Sequence, residues 1–260
     1  MIENSLLENN NTSCLNPGER LDDLMLKGYQ IIQNPKSFCF GTDAVLLSDF
    51  AASCGLKGRI LDLGTGTGIM PILLAGKTEA PSLVGLEIQT EAAEMAERSV
   101  KLNGLEDRVH IVRGDIRESG RLFSQDSFDS IVSNPPYIPV SGGFLNPGDS
   151  KAISRHELLC TLEDILKAAS SVLKVKGTFF MVHRPGRLTD ILIKMRQYHL
   201  EPKRLRMVYP TADSEPVLIL IEGRKGGKAG LSTDAPLILR NPDGSPSKEY
   251  RRIYGFQGNP

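Results

Sequence analysis

The chain of 260 residues has room for one large α/β domain with its own core. Its 31 Lys and Arg residues balance 31 Asp and Glu residues, but residues 1–175 contain 16 basic and 23 acidic residues whereas residues 176–260 contain 15 and 8. This asymmetry is consistent with an anionic partner on the C-terminal part, although ordinary solvated surface more often gives such an excess. The four cysteines show no metal-ligand spacing and no apolar run approaches about 18 residues, so we expect neither a metal site nor a membrane span.

Residues 1–20 are polar and lack periodicity, which predicts a flexible lead. Their acidic start differs from the basic and then apolar pattern of a signal peptide, so we expect a cytoplasmic protein with reduced thiols. We expect a monomer in which residues 21–255 form a single domain.

Residues 21–57 are interpreted as a lid over the sheet. Residues 24–26 and 29–32 have the apolar pattern of two short strands around the turn Lys27-Gly28. Thr42 or Asp43 then has a side chain that can cap a helix through residues 44–52.

The predicted catalytic core, residues 59–222, begins with a buried parallel strand at residues 59–63. It continues into the glycine loop, residues 64–68, with the sequence Gly-Thr-Gly-Thr-Gly, and then into a helix. Glycines let the backbone turn sharply and approach a ligand at a helix N-terminus. The loop lacks the Gly-x-Gly-x-x-Gly spacing of a dinucleotide site, and Asp62 at the strand end suits a cationic ligand better than a pyrophosphate.

Two more acidic residues stand at the ends of predicted strands. Glu87 ends the strand at residues 83–87, where an acid can accept both hydroxyls of a ribose, although an exposed acid closing a strand has the same pattern. Asp115 follows the strand at residues 108–112 and is placed to meet the amino group of a purine. Because ligands bind at the carboxyl ends of the strands in open α/β sheets, we expect these side chains to share one site.

The sequence Asn-Pro-Pro-Tyr at residues 134–137 follows a predicted strand at residues 128–132. The side-chain carbonyl of Asn134 and the backbone carbonyl of Pro135 can accept the two hydrogens of one planar NH2 group. Pro136 keeps the backbone extended, and Tyr137 offers a ring on which a base can stack. A proline-rich turn after a buried strand would show the same pattern.

Basic residues recur in the second half of the chain, and we predict that they contact phosphate. The predicted segments of this half are a long aperiodic rim at residues 138–153, a strand at residues 178–182, a core strand at residues 216–221 and a basic tail at residues 223–260. The predicted phosphate contacts are Arg155, Arg184, Arg187, Lys203, Arg204 and Arg206, of which Arg204 and Arg206 share one strand face. Arg155 has the alternative role of a surface residue at the start of a helix.

Taken in chain order, residues 62–68, Glu87, Asp115 and residues 134–137 resemble the successive motifs of class I S-adenosylmethionine-dependent methyltransferases. The resemblance implies a Rossmann-like α/β fold with a mostly parallel seven-stranded sheet, an antiparallel final strand and a short N-terminal hairpin. It also implies S-adenosyl-L-methionine as the cofactor. The implied cofactor-binding residues are Asp62 at the ammonium group, Gly64, Thr65, Gly66 and Gly68 along the methionine part, Glu87 at the ribose, Asp115 and Ile116 at the adenine, and Asn134 at the border with the substrate.

Residues 40–47, 154–157 and 183–185 are similar, more narrowly, to the bacterial tRNA1(Val) adenine-37 N6-methyltransferase group. This resemblance implies methyl transfer to the exocyclic N6 of an adenine in a tRNA anticodon loop. The catalytic residues would be Asn134, Pro135, Pro136 and Tyr137, and tRNA would be the partner. Three alternatives remain: methylation of a glutamine amide in peptide release factors, methylation of another base nitrogen by an enzyme with the same Asn-Pro-Pro-Tyr sequence, and a cofactor-binding fold that binds RNA or a partner without catalysis.

Overall fold

The computed structural model of the chain describes residues 14–36, 39–135 and 160–255. Three of the predicted site residues, Pro136, Tyr137 and Arg155, lie outside the described residues, as do the predicted rim at residues 138–153 and all but the last seven residues of the predicted lead.

A nine-stranded sheet forms the centre of the molecule, in the order β10-β8-β9-β7-β6-β3-β4-β5, with β11 also paired to β8. Its long strands are β3 Arg59–Leu63, β4 Ser82–Glu87, β5 Val109–Arg113, β6 Phe128–Ser133, β7 Leu173–His183, β8 Leu200–Tyr209 and β9 Leu218–Lys225. The short strands are β10 Ser232–Thr233 and β11 Leu237–Ile238. Strands β5, β4, β3, β6 and β7 run parallel, whereas β9 is antiparallel to both β7 and β8.

The predicted α/β class, the mostly parallel sheet, the antiparallel last long strand and the N-terminal hairpin are confirmed. The predicted number of seven strands is wrong, because β10 and β11 each add two residues beside β8. Strands this short carry no alternation of their own and are defined by their pairing alone.

The helices are α1 Thr42–Ala52, α2 Ile69–Lys77, α3 Thr90–Leu102, α4 Ser119–Leu122, α5 Leu162–Val172, α6 Leu188–Gln197 and α7 Lys248–Tyr254, with short 3-10 turns at Ile116–Glu118 and Pro185–Arg187. The apolar residues form two clusters, one containing α1 and α2 and the other α5 and α6. Among the described residues, no helix has the length and apolar character needed to cross a bilayer.

The N-terminal hairpin consists of β1 Arg20–Asp23 and β2 Gln30–Gln33. The first strand was predicted at residues 24–26, which is wrong, because β1 ends at Asp23. Leu24 begins the connection instead, and its N–H donates to the carbonyl of Tyr29 at 2.9 Å. Before the hairpin, Glu19 forms an ion pair of 2.6 Å with Arg98 on α3, which fixes the described end of the predicted lead.

Helix α1 ends at the predicted Ala52 but begins at Thr42, before the predicted residue 44; its N-cap residue is Gly41, and no side chain caps it. The predicted cap by Thr42 or Asp43 is therefore wrong. The Thr42 hydroxyl instead bonds to the Tyr254 hydroxyl of α7 at 3.1 Å, so the start of α1 is tied to the C-terminal helix.

Candidate active site

The glycine loop joins β3 to α2 and is fastened to the neighbouring strand β4. The N–H groups of Gly64 and Thr65 both donate to the Leu86 carbonyl at 3.0 Å. Gly64, Gly66 and Gly68 have φ angles of +80°, +55° and +86°, in the left-handed region that favours glycine. The loop therefore holds a fixed backbone conformation at the carboxyl end of β3.

The three glycines do not share one role. A Cβ on Gly66 would meet nothing within 4 Å, and one on Gly64 would meet only Ile116 Cδ1 at 3.7 Å. A Cβ on Gly68 would lie 3.0 Å from Ala96 Cβ, so Gly68 lets α2 and α3 approach each other. A Cβ at Gly64 or Gly66 would thus meet open space or an ordinary contact, whereas a Cβ at Gly68 would crowd Ala96.

Glu87 ends β4 beside this loop and is 5 % exposed. Its Oε2 accepts the Gly66 N–H at 2.8 Å, and its Oε1 accepts the Gln89 N–H at 2.8 Å. A carboxylate has about four acceptor positions, so Glu87 retains the capacity to accept the two hydroxyls of a ribose. The two backbone bonds fix its orientation.

Asp62 stands one residue before the end of β3 and is 2 % exposed. Burial, and then the negative charge of Glu87, raise the pKa of Asp62 to about 7. A cationic group placed next to Asp62 would favour its ionised form. The pair of buried carboxylates is therefore suited to a ligand that carries a positive charge and hydroxyl groups.

Asp115 and Ile116 follow β5 at the other side of the loop. The Asp115 carboxylate caps the 3-10 turn by accepting the Arg117 N–H at 2.8 Å, and it forms an ion pair with the guanidinium of Arg117. These bonds hold the pKa of Asp115 below its usual range. Ile116 Cδ1 would lie 3.7 Å from a Cβ built on Gly64, so the structure brings these two predicted cofactor residues together.

The end of β6 is tied directly to the end of β3. Ser133 is fully buried, and its hydroxyl donates to the Leu63 carbonyl at 3.0 Å. Asn134 is half-buried and Pro135 is buried. Asn134 and Pro135, the two predicted acceptors, therefore lie at the same edge of the sheet as the glycine loop, one strand away from it. The roles predicted for Pro136 and Tyr137 stay predictions.

The described residues fit a nucleoside-bearing cation as the ligand of this edge. Open space over Gly64 and Gly66, two buried carboxylates and an apolar side chain at Ile116 match the ammonium, ribose and base of such a molecule. Among the described residues, no group of three or more His, Cys, Asp or Glu side chains is arranged to hold a metal ion.

A family model described as methyltransferase small domain matches residues 35–195, which is more than half of the chain. The chain belongs to this family. Two relatives of this methyltransferase are named tRNA1(Val) (adenine(37)-N6)-methyltransferase. The one from Porphyromonas gingivalis W83 is 32 % identical over 240 residues, covering 89 % of this chain and 93 % of the relative. The one from Bacteroides thetaiotaomicron is 36 % identical over 184 residues, covering 70 % and 74 %.

A solved structure described as a predicted O-methyltransferase from Agrobacterium tumefaciens superimposes with a TM-score of 0.66. It is 21 % identical and covers 82 % of this methyltransferase and 95 % of its own chain. At this identity the similarity concerns the fold, which agrees with the resemblance drawn from the sequence motifs.

Two of the arginines predicted to contact RNA lie at the carboxyl end of β7, on the edge that carries the site. Arg184 is exposed and donates to the Val217 carbonyl at 3.2 Å. Arg187 ends the 3-10 turn and forms an ion pair of 3.0 Å with Asp190, an interaction between neighbouring turns. Their predicted contact with phosphate agrees with this position and stays a prediction.

The cations of β8 lie at the other side of the sheet, four strands from β3. Arg204 forms an ion pair of 2.7 Å with Asp234 and stacks over the Phe50 ring at 4.2 Å. Arg206 forms an ion pair of 2.8 Å with Glu249 on α7, and Lys203 donates to the Lys228 carbonyl at 3.1 Å. All three bind other parts of this methyltransferase, so the structure gives them an internal role that the sequence did not predict.

Gln33 links the hairpin to the glycine loop and was not predicted from the sequence. Gln33 is fully buried; its Nε2 donates to the Thr67 hydroxyl and its Oε1 accepts the Phe40 N–H at 3.0 Å. A polar residue closing an apolar strand pattern was the available signal. Ser133, which joins β6 to β3, also closes an apolar strand pattern, and its role was not predicted either.

Proposed function

We propose that this methyltransferase transfers a methyl group from S-adenosyl-L-methionine to the exocyclic N6 of an adenine in tRNA, at position 37 of a tRNA1(Val)-like substrate. The observation that carries the proposal is the agreement between the relatives' name and the sheet edge itself, where Asn134 and Pro135 directly follow the strand tied to the glycine loop. A tRNA substrate would place the protein in the cytoplasm, and we propose that it acts as a monomer.

The cofactor would lie over Gly64 and Gly66, with Thr65 in the same loop. Asp62 would face its ammonium group, Glu87 its ribose hydroxyls, and Asp115 and Ile116 its adenine. When bound, S-adenosyl-L-methionine supplies an electrophilic methyl group on a sulfonium. The hydrogen bonds that Glu87 accepts from the Gly66 and Gln89 N–H groups would keep the ribose position constant.

The adenine amino group is a weak nucleophile because its lone pair is delocalised into the ring. Acceptors at Asn134 and Pro135 would hold both amino hydrogens, orient the nitrogen and favour the tetrahedral nitrogen that forms during transfer. Orientation alone accounts for a large share of such a rate, on the order of 7–11 kcal/mol. The released proton can pass to water, so these two acceptors suffice without a general base.

The base must leave its stack to reach these acceptors, which costs less in a loop than in a duplex. We propose that Tyr137 stacks on the extruded ring, and that Arg184 and Arg187 contact phosphates nearby. Arg155 stays a further proposed contact. For Lys203, Arg204 and Arg206, the internal bonds described above favour a role in holding the C-terminal segment.

The proposal is tested by incubating the protein with labelled S-adenosyl-L-methionine and total bacterial tRNA, followed by digestion to nucleosides. N6-methyladenosine is the expected product. Label found only in protein would instead favour a glutamine amide as acceptor, and failure to bind the cofactor in calorimetry would favour a binding module without catalysis. Repeating the assay with purified tRNA1(Val), and with the same tRNA in which adenine 37 is replaced by guanine, tests the position.

A further inference from the structure

Gln33, the last residue of β2, has a buried amide group that joins three segments of the chain. Its Nε2 donates to the Ile32 carbonyl at 3.0 Å and to the Thr67 hydroxyl, and its Oε1 accepts the Phe40 N–H at 3.0 Å. A backbone N–H can only donate, so the bond from Phe40 fixes which end of the amide faces Thr67. The amide therefore holds the hairpin, the segment before α1 and the glycine loop in one arrangement.

Thr67 stands in the glycine loop between Gly66 and Gly68 and is 6 % exposed. The Gly66 N–H donates to Glu87 at 2.8 Å, so two side chains from different elements, Glu87 and Gln33, hold consecutive residues of the loop. The two glycines beside Thr67 have positive φ angles, and a glycine can adopt many other backbone conformations at little steric cost. Bonds to the loop from outside therefore restrict it to one of these conformations.

The hairpin that carries Gln33 is itself fixed to α3. The Ser99 hydroxyl of that helix accepts the Ile32 N–H at 3.0 Å. Asn103, directly after the helix, accepts the Gln30 N–H at 2.9 Å and donates to the Gln30 carbonyl at 2.7 Å. Strand β2 thus has bonds to α3 in addition to its pairing with β1. The position of the Gln33 amide is therefore set independently of the glycine loop.

We propose that Gln33 is a positioning residue for cofactor binding, which holds Thr67 so that the neighbouring Gly66 keeps the backbone conformation that the cofactor needs. The inference rests on the proposed place of S-adenosyl-L-methionine over the glycine loop and does not depend on which base is methylated. A loop that is already held in its bound conformation loses less conformational entropy when a ligand binds. Loss of the Gln33 amide should therefore weaken cofactor binding rather than slow methyl transfer.

A double-mutant cycle on cofactor affinity tests this role. Gln33→Met keeps the length of the side chain and removes its amide, and Thr67→Val keeps the shape and removes the hydroxyl. Each single change should raise the Kd for S-adenosyl-L-methionine, measured by calorimetry, by roughly three- to tenfold, as expected for the loss of one hydrogen bond. The double variant should show the same loss and not the product of the two, because both changes remove one bond. Thr67→Ser, which retains the hydroxyl, should bind nearly as tightly as the wild type.

Kinetics and unfolding separate positioning from general stability. In Gln33→Met the KM for the cofactor should rise, while kcat and the KM for tRNA stay close to those of the wild type. The control is Thr78→Val, which removes another buried hydroxyl, one that donates to the Leu74 carbonyl at 2.7 Å; it should lower the free energy of unfolding in urea and leave the Kd unchanged. Gln33→Asn, whose amide is one methylene too short to reach Thr67, replaces Gln33→Met if that variant does not fold.

Additive losses in the cycle, or an unchanged Kd in both single variants, would overturn the inference. Glu87→Gln distinguishes this result from a failure of the proposed cofactor site, because it alters the carboxylate that would accept the ribose hydroxyls. If Glu87→Gln loses affinity and the Gln33 and Thr67 variants do not, the proposed site stands and the positioning role falls. If Glu87→Gln binds the cofactor as the wild type does, both fall.

Discussion

The side chain of Asn134 carries the largest share of the proposed chemistry at the scale of single residues. It follows β6, whose last residue Ser133 is bonded to the end of β3, so its distance from the glycine loop is set by the sheet. An acceptor held in this way does not need to reorganise when the amino group becomes tetrahedral, and such preorganised groups contribute strongly to catalysis.

Asn134→Ala should therefore lower kcat by about a hundredfold or more while the cofactor still binds, because the acceptor is lost and the cofactor pocket is largely built by other residues. The measurement is single-turnover methylation of tRNA, with cofactor affinity determined in parallel by calorimetry. A comparable substitution at Asn241, which bonds within its own turn, is the control. Retained turnover in Asn134→Ala would remove this side chain from the mechanism.

We expect Asp62 to make cofactor binding dependent on pH. Because the pKa of Asp62 is raised, between about pH 4 and 7 this carboxyl is protonated in the free folded protein and ionised in the unfolded chain. Its contribution to the stability of the fold therefore decreases as the pH rises through that range. A cationic ligand favours the ionised form and must release the proton. Affinity for S-adenosyl-L-methionine should therefore rise by up to about tenfold per pH unit below pH 7.

Calorimetry at about pH 6 in two buffers of different ionisation enthalpy measures the released proton directly. The wild type should release a proton close to stoichiometrically on binding, and Asp62→Asn should release none and bind more weakly. Proton release that is unchanged in Asp62→Asn would assign the titration to another group.

At the scale of elements, helix α7 is held to the sheet by polar bonds that reach across the chain. Arg206 of β8 makes two hydrogen bonds to the Glu249 carboxylate, at 2.9 and 2.8 Å, and the arginine side chain is 15 % exposed. Tyr254 bonds to Thr42 at the start of α1, and the Ile253 side chain is buried in the same cluster as α1 and α2. The C-terminal segment is thus part of the domain.

A double-mutant cycle with Arg206→Ala and Glu249→Ala should give a coupling free energy of unfolding of about 1 kcal/mol, because the pair is bidentate and partly shielded from water. Urea denaturation monitored by circular dichroism measures it. The control cycle uses Arg121 and Glu118, an exposed pair on neighbouring turns at 3.4 Å, for which the coupling should be near zero. Equal coupling in both cycles would mean that shielding does not strengthen the Arg206 pair.

Local sequence patterns predicted the parallel core strands, the glycine loop and the acidic strand ends because each is encoded within a few consecutive residues. The partners of Arg204 and Arg206 are different: Asp234 and Glu249 lie 30 and 43 residues further along the chain. A local pattern shows a basic strand face but not which acids the fold brings to it. The same holds for Gln33, whose partner Thr67 is 34 residues away.

At the scale of the whole molecule, the excess of basic residues in the C-terminal part does not act as one surface. Arg184 and Arg187 lie at the edge of the sheet that carries the proposed site, where Arg187 pairs with the neighbouring exposed Asp190, whereas Arg204 and Arg206 pair with acids brought to β8 from 30 and 43 residues away. Only cations that meet phosphate release counterions when RNA binds. We therefore expect charge counted along the sequence to overstate the number of contacts with tRNA.

The dependence of tRNA affinity on salt distinguishes the two groups. Each phosphate contact adds about 0.7–0.9 to the slope of log affinity against log salt, so Arg184→Ala and Arg187→Ala should each reduce the slope by somewhat less than one unit, at unchanged affinity for the cofactor. Arg204→Ala should leave the slope as in the wild type and lower the free energy of unfolding, because it removes the ion pair with Asp234 and the contact with Phe50. Filter binding over a salt series, with urea denaturation of the same variants, gives both quantities. A reduced slope in Arg204→Ala would show that Arg204 contacts tRNA, because an ion pair within the protein cannot change the number of counterions released from tRNA.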